Sequence, residues 1–415
     1  MRGEAGDTQA PLLPAPSSLL PAFAITAPGL ESVAATELTA LGFLPYDHEP
    51  GGVAFDTDRR GLYRANLQLR TVSRILVRAA AFRAAHFSEL ERHAATVPWG
   101  TWVPAGGAVH FRITSRKSRL YHQKAIADRL EEAVRRAVPQ AQAVRGAAEV
   151  EERDDVQRFV VRLAYDQCTV SADSSGALLH QRGYRLAVAR APLRETLAAA
   201  MLLGTGWDPA TPLIDPMCGS GTIPIEAALL ARRIPPGWRR RFAFERWADF
   251  DLATWQAVRA EAETAILPRA PVPIVASDRD AGAVAATRSN AERAGVLPDL
   301  TIHQGPLSAV EPPDGSGLLL TNPPYGLRIG EADALRDLFA RLGQVMRQQL
   351  SGWRLGLLSA NPALPRQLAL PMEVRWRTSN GGIPVELLVG SAPADPRHGS
   401  DTPLPPAVGP PYSQG

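Results

Sequence analysis

Residues 213–226 read Leu-Ile-Asp-Pro-Met-Cys-Gly-Ser-Gly-Thr-Ile-Pro-Ile-Glu. An apolar strand runs into Asp215, a turn carries Gly219 and Gly221, and an apolar helix follows. Glycine is needed where the backbone must turn sharply and approach a ligand closely. The helix that follows offers free N–H groups to a carboxylate. A bare glycine pair after a strand is common among nucleotide-binding folds, and a plain tight turn is the alternative reading. The full run from Asp215 to Ala228 is far more specific.

Downstream of this run, strands and helices alternate, the mark of a parallel doubly wound sheet. The expected strands are 213–215, 274–277, 300–303, 318–321 and 355–359. Two more, Met-Glu-Val-Arg-Trp-Arg-Thr and Ile-Pro-Val-Glu-Leu-Leu-Val-Gly, flank Ser379-Asn-Gly-Gly382, a hairpin signal. A mostly parallel sheet ending in an antiparallel hairpin is the architecture of class I methyltransferases, and NAD-binding Rossmann domains usually lack that hairpin. Asp278 ends the second strand, where a carboxylate accepts hydrogen bonds from ribose hydroxyls. It lies 57 residues beyond Gly221, against ~20 in NAD-binding domains, so the crossover is enlarged. Asp280 is the alternative ligand or a helix cap.

The fourth strand runs into Thr321-Asn-Pro-Pro-Tyr325. The prolines Pro323 and Pro324 fix φ and remove N–H donors. They leave the Asn322 amide oxygen and a backbone carbonyl as a rigid pair of acceptors. Two acceptors suit an exocyclic –NH2, whose lone pair is otherwise delocalised into its ring. Tyr325 adds a face on which a base can stack. A turn with Asn as its cap is the alternative.

Upstream, residues 21–80 read as a ferredoxin-like α+β unit of strand–helix–strand–helix–strand order. Residues 81–176 continue in that style, residues 177–204 form a hinge, and residues 205–393 form the catalytic domain. Residues 1–20 and 394–415 are rich in Pro, Gly and Ser and are expected to be disordered tails.

The chain has 415 residues, 45% hydrophobic and 21% charged, with a formal charge of +3. That is a globular composition with room for two or three domains. No apolar run reaches the ~18–20 residues of a membrane helix, and the first twenty residues lack a signal-peptide pattern. A cytoplasmic location is expected. Cys168 and Cys218 make neither a disulfide framework nor a zinc site, so no metal is expected. Arg59, Arg60, Arg64, Arg70, Arg74, Arg78, Arg83 and Arg92 face only Glu89 and Glu91 in their stretch. A second basic run holds Arg112, Arg116, Lys117, Arg119 and Lys124. A basic first half is what a phosphate-contacting surface requires.

These motifs occur in an order that resembles the THUMP-domain-containing N2-guanosine RNA methyltransferases. That group includes the N-terminal methyltransferase part of the large-subunit rRNA enzymes, and the tRNA enzymes. The resemblance spans residues 20–395. Its carriers include 115–134, 180–200, 215–229, 242–251, 277–284, 321–329, 352–362 and 379–390. It implies S-adenosylmethionine as cofactor and structured RNA as partner. It assigns the RNA-binding THUMP domain to 81–176, with Arg116, Lys117, Arg119 and Lys124 on RNA. It places Pro192, Leu193, Arg194, Glu195 and Thr196 at the cofactor's methionine end. Asp215, Cys218, Gly219, Ser220 and Gly221 form the cofactor loop, Asp278 and its neighbour Arg279 the ribose region, and Asn322, Pro323, Pro324 and Tyr325 the catalytic tetrad. One departure is the absence of the family's Asp after the third strand. Here the chain reads His303-Gln304, and Gln304 or a backbone carbonyl takes the adenine contact.

Trp238, Phe242, Phe244, Trp247, Phe250 and Trp255 are read as satellite core rather than a base-stacking platform. His180 is read as a hinge-packing residue rather than a general base. The resulting expectation is guanine-N2 methylation of rRNA, with tRNA as the alternative substrate. Adenine-N6 and protein glutamine-N5 methylation use similar tetrads, and a non-catalytic RNA-binding assembly factor is the rival from another class.

Overall fold

The computed structural model describes residues 19–146, 150, 153–185, 193–325 and 332–392. Pro192 and the two tails beyond Leu19 and Ala392 lie outside the described residues. Two sheets organise the chain. The first is built from β1 (Leu20–Ile25), α1 (Glu31–Ala40), β2 (Pro45–Glu49), β3 (Gly52–Thr57), α2 (Arg59–Gln68), β4 (Arg74–Arg83), α3 (Phe87–Ala94), β5 (Ala108–Arg116), α4 (Gln123–Ala137), β6 (Gln142–Ala143), β7 (Val156–Ala164) and β8 (Gln167–Asp173). Its strand order is β2-β3-β1-β4-β8-β7-β5-β6.

The first four of these strands follow the ferredoxin-like β-α-β-β-α-β order. Neither β2 nor α3 was expected from the sequence, although Phe87, Leu90 and Ala94 of α3 recur at helical spacing. Strand β2 is mostly exposed and carries Pro-Tyr-Asp-His-Glu, so it has no apolar alternation to read. β1 begins at Leu20, inside the stretch expected to be tail. The expected division at residue 80 falls inside β4. Because β4 pairs antiparallel with β8, residues 21–80 and 81–176 share one continuous sheet.

The second sheet comes from α5 (Glu195–Gly204), β9 (Leu213–Asp215), α6 (Thr222–Ala231), α7 (Leu252–Thr264), β10 (Ile274–Asp278), α8 (Ala281–Ala294), β11 (Leu300–Gln304), β12 (Leu318–Thr321), α9 (Ala332–Gln349), β13 (Arg354–Ser359), β14 (Met372–Asn380) and β15 (Ile383–Ser391). Its order is β11-β10-β9-β12-β13-β15-β14. Five strands are parallel, and β15 and β14 close the sheet antiparallel. This is the class I methyltransferase sheet. The chain reverses its winding direction between β9 and β12, and ligands of open α/β sheets bind at the carboxyl ends of strands at such a point.

The enlarged crossover between α6 and β10 turns back to the first sheet. Phe244, fully buried, stacks on Tyr63 at 4.4 Å and on Phe242 at 5.2 Å. Trp247 Nε1 donates to Gln157 Oε1 at 2.9 Å. These aromatics therefore close the core of the first half rather than a solvent-facing platform. In the other direction, Leu30 at the start of α1 packs into the core of the second half with Trp376. Each half supplies side chains to the other's interior.

Charge partners also come from afar. Arg59 meets Asp249 at 2.9 Å, Arg60 meets Glu261, Arg74 meets Asp173, and Arg78 meets Glu49 at 3.6 Å. Arg64 and Arg70 donate to the backbone carbonyls of Leu41 and Ile234. The first basic run is thus largely spent on internal partners, contrary to the expectation of an open cationic surface. The count within the stretch misleads because the acids that answer it sit elsewhere in the chain.

Candidate active site at the β9–β12 switch point

Asp215 ends β9 with its carboxylate buried. Its Oδ1 accepts from Thr321 Oγ1 at 2.8 Å and from Met217 N at 3.2 Å. The first bond joins the glycine loop to the last residue of β12, immediately before Asn322. Burial pushes the Asp215 carboxyl up to about 7, with the nearby Asp278 charge adding to the rise.

The loop from Met217 to Gly221 is braced on three sides. Gly221 caps α6 at φ 84°, and a Cβ there would meet Thr287 Cγ2 at 2.8 Å. No L side chain fits that position. Thr287 Oγ1 donates to the Gly219 carbonyl at 2.9 Å, and Asn290 Nδ2 donates to the Ser220 carbonyl at 2.9 Å. Cys218 is buried with its Sγ 3.5 Å from Thr287 Oγ1, and burial pushes its thiol up to about 12. Asp278 Oδ2 accepts from Gly219 N at 3.0 Å, and its Oδ1 accepts from Asp280 N at 3.0 Å. Asp280 caps α8 by accepting from Ala283 N, which is the capping alternative read from the sequence.

Sequence reading missed Thr287, Asn290 and Thr321, all fully buried. The available signal was polar residues on the otherwise apolar inward face of a helix and in an apolar strand. Gln304 stands beside Asp278 in register, and its Nε2 donates to the Arg279 carbonyl at 3.1 Å; both side chains are exposed. Leu193, Glu195 and Thr196 are buried around the start of α5, whereas Arg194 is exposed. Glu195 accepts from Arg185 at 3.1 Å, and burial pushes it up to about 7. His180 is half-buried beside Arg194, Arg182, Arg185 and Arg240. Burial first, and then these charges, push it down to about 4, so it stays neutral near pH 7.

Asn322 is half-buried, and its Oδ1 is buried without a hydrogen-bond partner among the described residues. Pro323 is buried and Pro324 exposed. Tyr325 packs against the second-half core, and its hydroxyl accepts from Asn380 Nδ2 at 3.0 Å.

Arg116, Lys117, Arg119 and Lys124 are all exposed around the β5–α4 connection. Lys117 Nζ lies 5.4 Å from the exposed Tyr165 ring.

Two family models match the chain: the RMKL-like methyltransferase domain over residues 182–385 and the RlmL ferredoxin-like domain over residues 22–76. A Synechocystis protein described as a "putative RNA methyltransferase" is 36% identical over 369 residues, which cover 89% of this chain and 96% of that one. The ribosomal RNA large subunit methyltransferase K/L of Syntrophotalea carbinolica is 36% identical over 397 residues. That match takes in 92% of this chain but 55% of the longer protein. Among solved structures, "a putative methyltransferase complexed with SAH" superposes with a TM-score of 0.79 at 28% identity, over 90% of this chain and 98% of that one. A Listeria monocytogenes protein described as "a predicted N6-adenine-specific DNA methylase" also gives 0.79, at 30% identity, over 91% and 97% of the two chains.

Proposed function

The chain belongs to the RlmL-like S-adenosylmethionine-dependent RNA methyltransferases, and on that premise we propose that it methylates the exocyclic N2 of a guanosine in structured RNA. The first candidate is 23S rRNA and the second is tRNA. The observation that carries this reading is the buried Asn322 Oδ1, unpaired among the described residues. A buried acceptor left unsatisfied costs ~1–3 kcal/mol, and one held at a strand end beside a cofactor loop awaits a donor. An exocyclic amine is such a donor. Accepting one amine hydrogen while a proline-fixed carbonyl accepts the other turns both out of the ring plane, which directs the nitrogen lone pair. Pro323 and Pro324 hold that geometry through their fixed φ, and the Tyr325 ring offers the stacking face.

The loop fits S-adenosylmethionine. Space opens above Gly219, where an added Cβ would meet nothing within 4 Å. Asp278 stands at the strand end beside it, and Asp215 offers a buried carboxylate below. Asp215, Gly219, Gly221 and Asp278 would hold the cofactor, with Leu193 to Thr196 supporting its methionine end. When bound, it supplies an electrophilic methyl group on a sulfonium.

Asp215 also sets a pH dependence. Its folded pKa of about 7 lies above the ~3.9 of an unfolded Asp. The free protein therefore holds the proton while the unfolded chain loses it, and this group's contribution to stability falls as pH rises from ~4 to ~7. A cationic ligand beside Asp215 favours its ionised form. Below pH ~7 binding must expel the proton, so S-adenosylmethionine affinity should rise with pH up to ~7 and then flatten. Calorimetry from pH ~5 to ~8 should show this slope in the wild type and a flatter one in Asp215→Asn. A wild-type affinity that ignores pH would rule it out.

The exposed Arg116, Lys117, Arg119 and Lys124 support an RNA-binding role for residues 81–176. Replacing all four with Ala in the full chain should weaken RNA binding. Its salt dependence should flatten by roughly 0.7–0.9 in log–log slope for each phosphate left without its cation. Unchanged slope would remove the patch from the interface. The deciding experiment incubates the chain with transcribed rRNA and tRNA and identifies the product nucleoside by mass spectrometry. N2-methylguanosine supports the proposal. N6-methyladenosine would keep the amine mechanism and overturn the substrate. Cofactor binding with no product on any RNA would favour an assembly factor.

A further inference from the structure

We propose that Asn380, at the tip of the β14–β15 hairpin, is a positioning residue for Tyr325. The inference rests on the amine-orienting reading of the Asn322–Tyr325 tetrad. It concerns which group aims the stacking ring. Tyr325 follows two prolines and belongs to no helix or strand. Backbone pairing therefore does not fix its side chain. Asn380 does so from the hairpin tip at the same carboxyl end of the sheet, donating from Nδ2 to the Tyr325 hydroxyl at 3.0 Å.

Asn380 is itself held tightly. It pairs with Ile383 as the last rung of the hairpin, and Gly381 and Gly382 between them sit at φ 58° and 84°. Two consecutive left-handed residues make the type I′ turn, whose twist matches that of the flanking strands. The register of β14 against β15 shifts between Val374 and Trp376. Val374 before the shift is exposed, whereas Trp376 and Asn380 beyond it are both 6% exposed. A bulge re-aims the side chains that follow it. Here it presents Trp376 to the core that Tyr325 packs against, and Asn380 to the Tyr325 hydroxyl. At that burial, the Asn380 amide needs a protein partner.

The expected consequence is a ring plane set before the base arrives. Without Asn380, the ring samples other orientations and fewer encounters place the base correctly. Single-turnover methylation should slow by roughly 3–10-fold, the net worth of one neutral hydrogen bond. Cofactor affinity should not change, because Asn380 does not touch the glycine loop.

The test is a double-mutant cycle in the full chain. It compares wild type, Asn380→Ala, Tyr325→Phe and the double variant, with single-turnover rate on RNA and cofactor affinity measured for each. Both single variants should lose the same factor, and the double variant should be no slower than either. Asn380→Asp should recover most of the loss in the Tyr325 background, since its carboxylate accepts from the same hydroxyl. It should recover nothing in the Tyr325→Phe background. A wild-type rate for Asn380→Ala would overturn the proposal. So would an equal loss on adding Asn380→Ala to Tyr325→Phe, because that marks a merely structural role. If Asn322→Ala and Tyr325→Ala also left methylation untouched, the tetrad reading itself would fail. If those two collapse while the Asn380 effects add, only the Asn380 assignment falls.

Discussion

Asn322→Ala is expected to slow methyl transfer by about 10²–10³-fold, the usual cost of removing one oriented group that acts in the transition state. Among the described residues its Oδ1 is buried and unpaired, so the substitution removes an acceptor without breaking a bond to any of them. Folding should therefore be little affected. Cofactor affinity should stay within a few fold, because the glycine loop is braced by Asp278, Thr287 and Asn290 and not by Asn322. The loss appears in the rate because the acceptor matters most as the amine pyramidalises and begins to carry positive charge. Single-turnover methylation with saturating cofactor reads this directly. A variant retaining near-normal turnover would show that the amine is oriented by other groups.

Phe244→Ala should destabilise the folded chain by ~3–5 kcal/mol, the range for deleting a buried phenyl ring from a core. Phe244 is fully buried and touches Tyr63 and Phe242 in stacked geometry and Trp255 edge-on at 5.3 Å. With Phe250 tilted against it at 6.2 Å, four ring neighbours leave little room for the cavity to collapse. The loss should reach further than one domain, because Phe244 belongs to the second half's crossover and is buried in the first half's core. Arg59–Asp249 and Arg60–Glu261 lie on the same seam, but as half-exposed pairs they add little to it. Chemical denaturation followed by tryptophan fluorescence should show a large fall in midpoint. A shift worth less than ~1 kcal/mol would mean that the crossover is peripheral to the first half's stability.

The parts of the molecule that depend on contiguous residues were legible in the sequence. Strand β9 falls at 213–215 and β12 at 318–321, where the alternation put them, because apolar periodicity is local. The glycine loop was legible because positive φ restricts residue choice at single positions. The Ser-Asn-Gly-Gly hairpin was legible because a type I′ turn restricts two of them. The Thr-Asn-Pro-Pro-Tyr run was legible as a strand end because its two prolines fix φ within five residues. Strand β2 was illegible because a mostly exposed edge strand needs no alternation. What only the tertiary structure decided are contacts between distant residues. Arg59 finds Asp249 190 positions away. Thr321 finds Asp215 across 106 and Tyr325 finds Asn380 across 55. The joining of the first two units through β4 and β8, and the burial of the crossover's aromatics in the other half, belong to the same class. Local pattern states what each residue prefers around it. Which polar group satisfies which other depends on how two sheets and an inserted crossover close on each other, and burial makes the inner pairings, such as Thr321 with Asp215, obligatory only once they have closed.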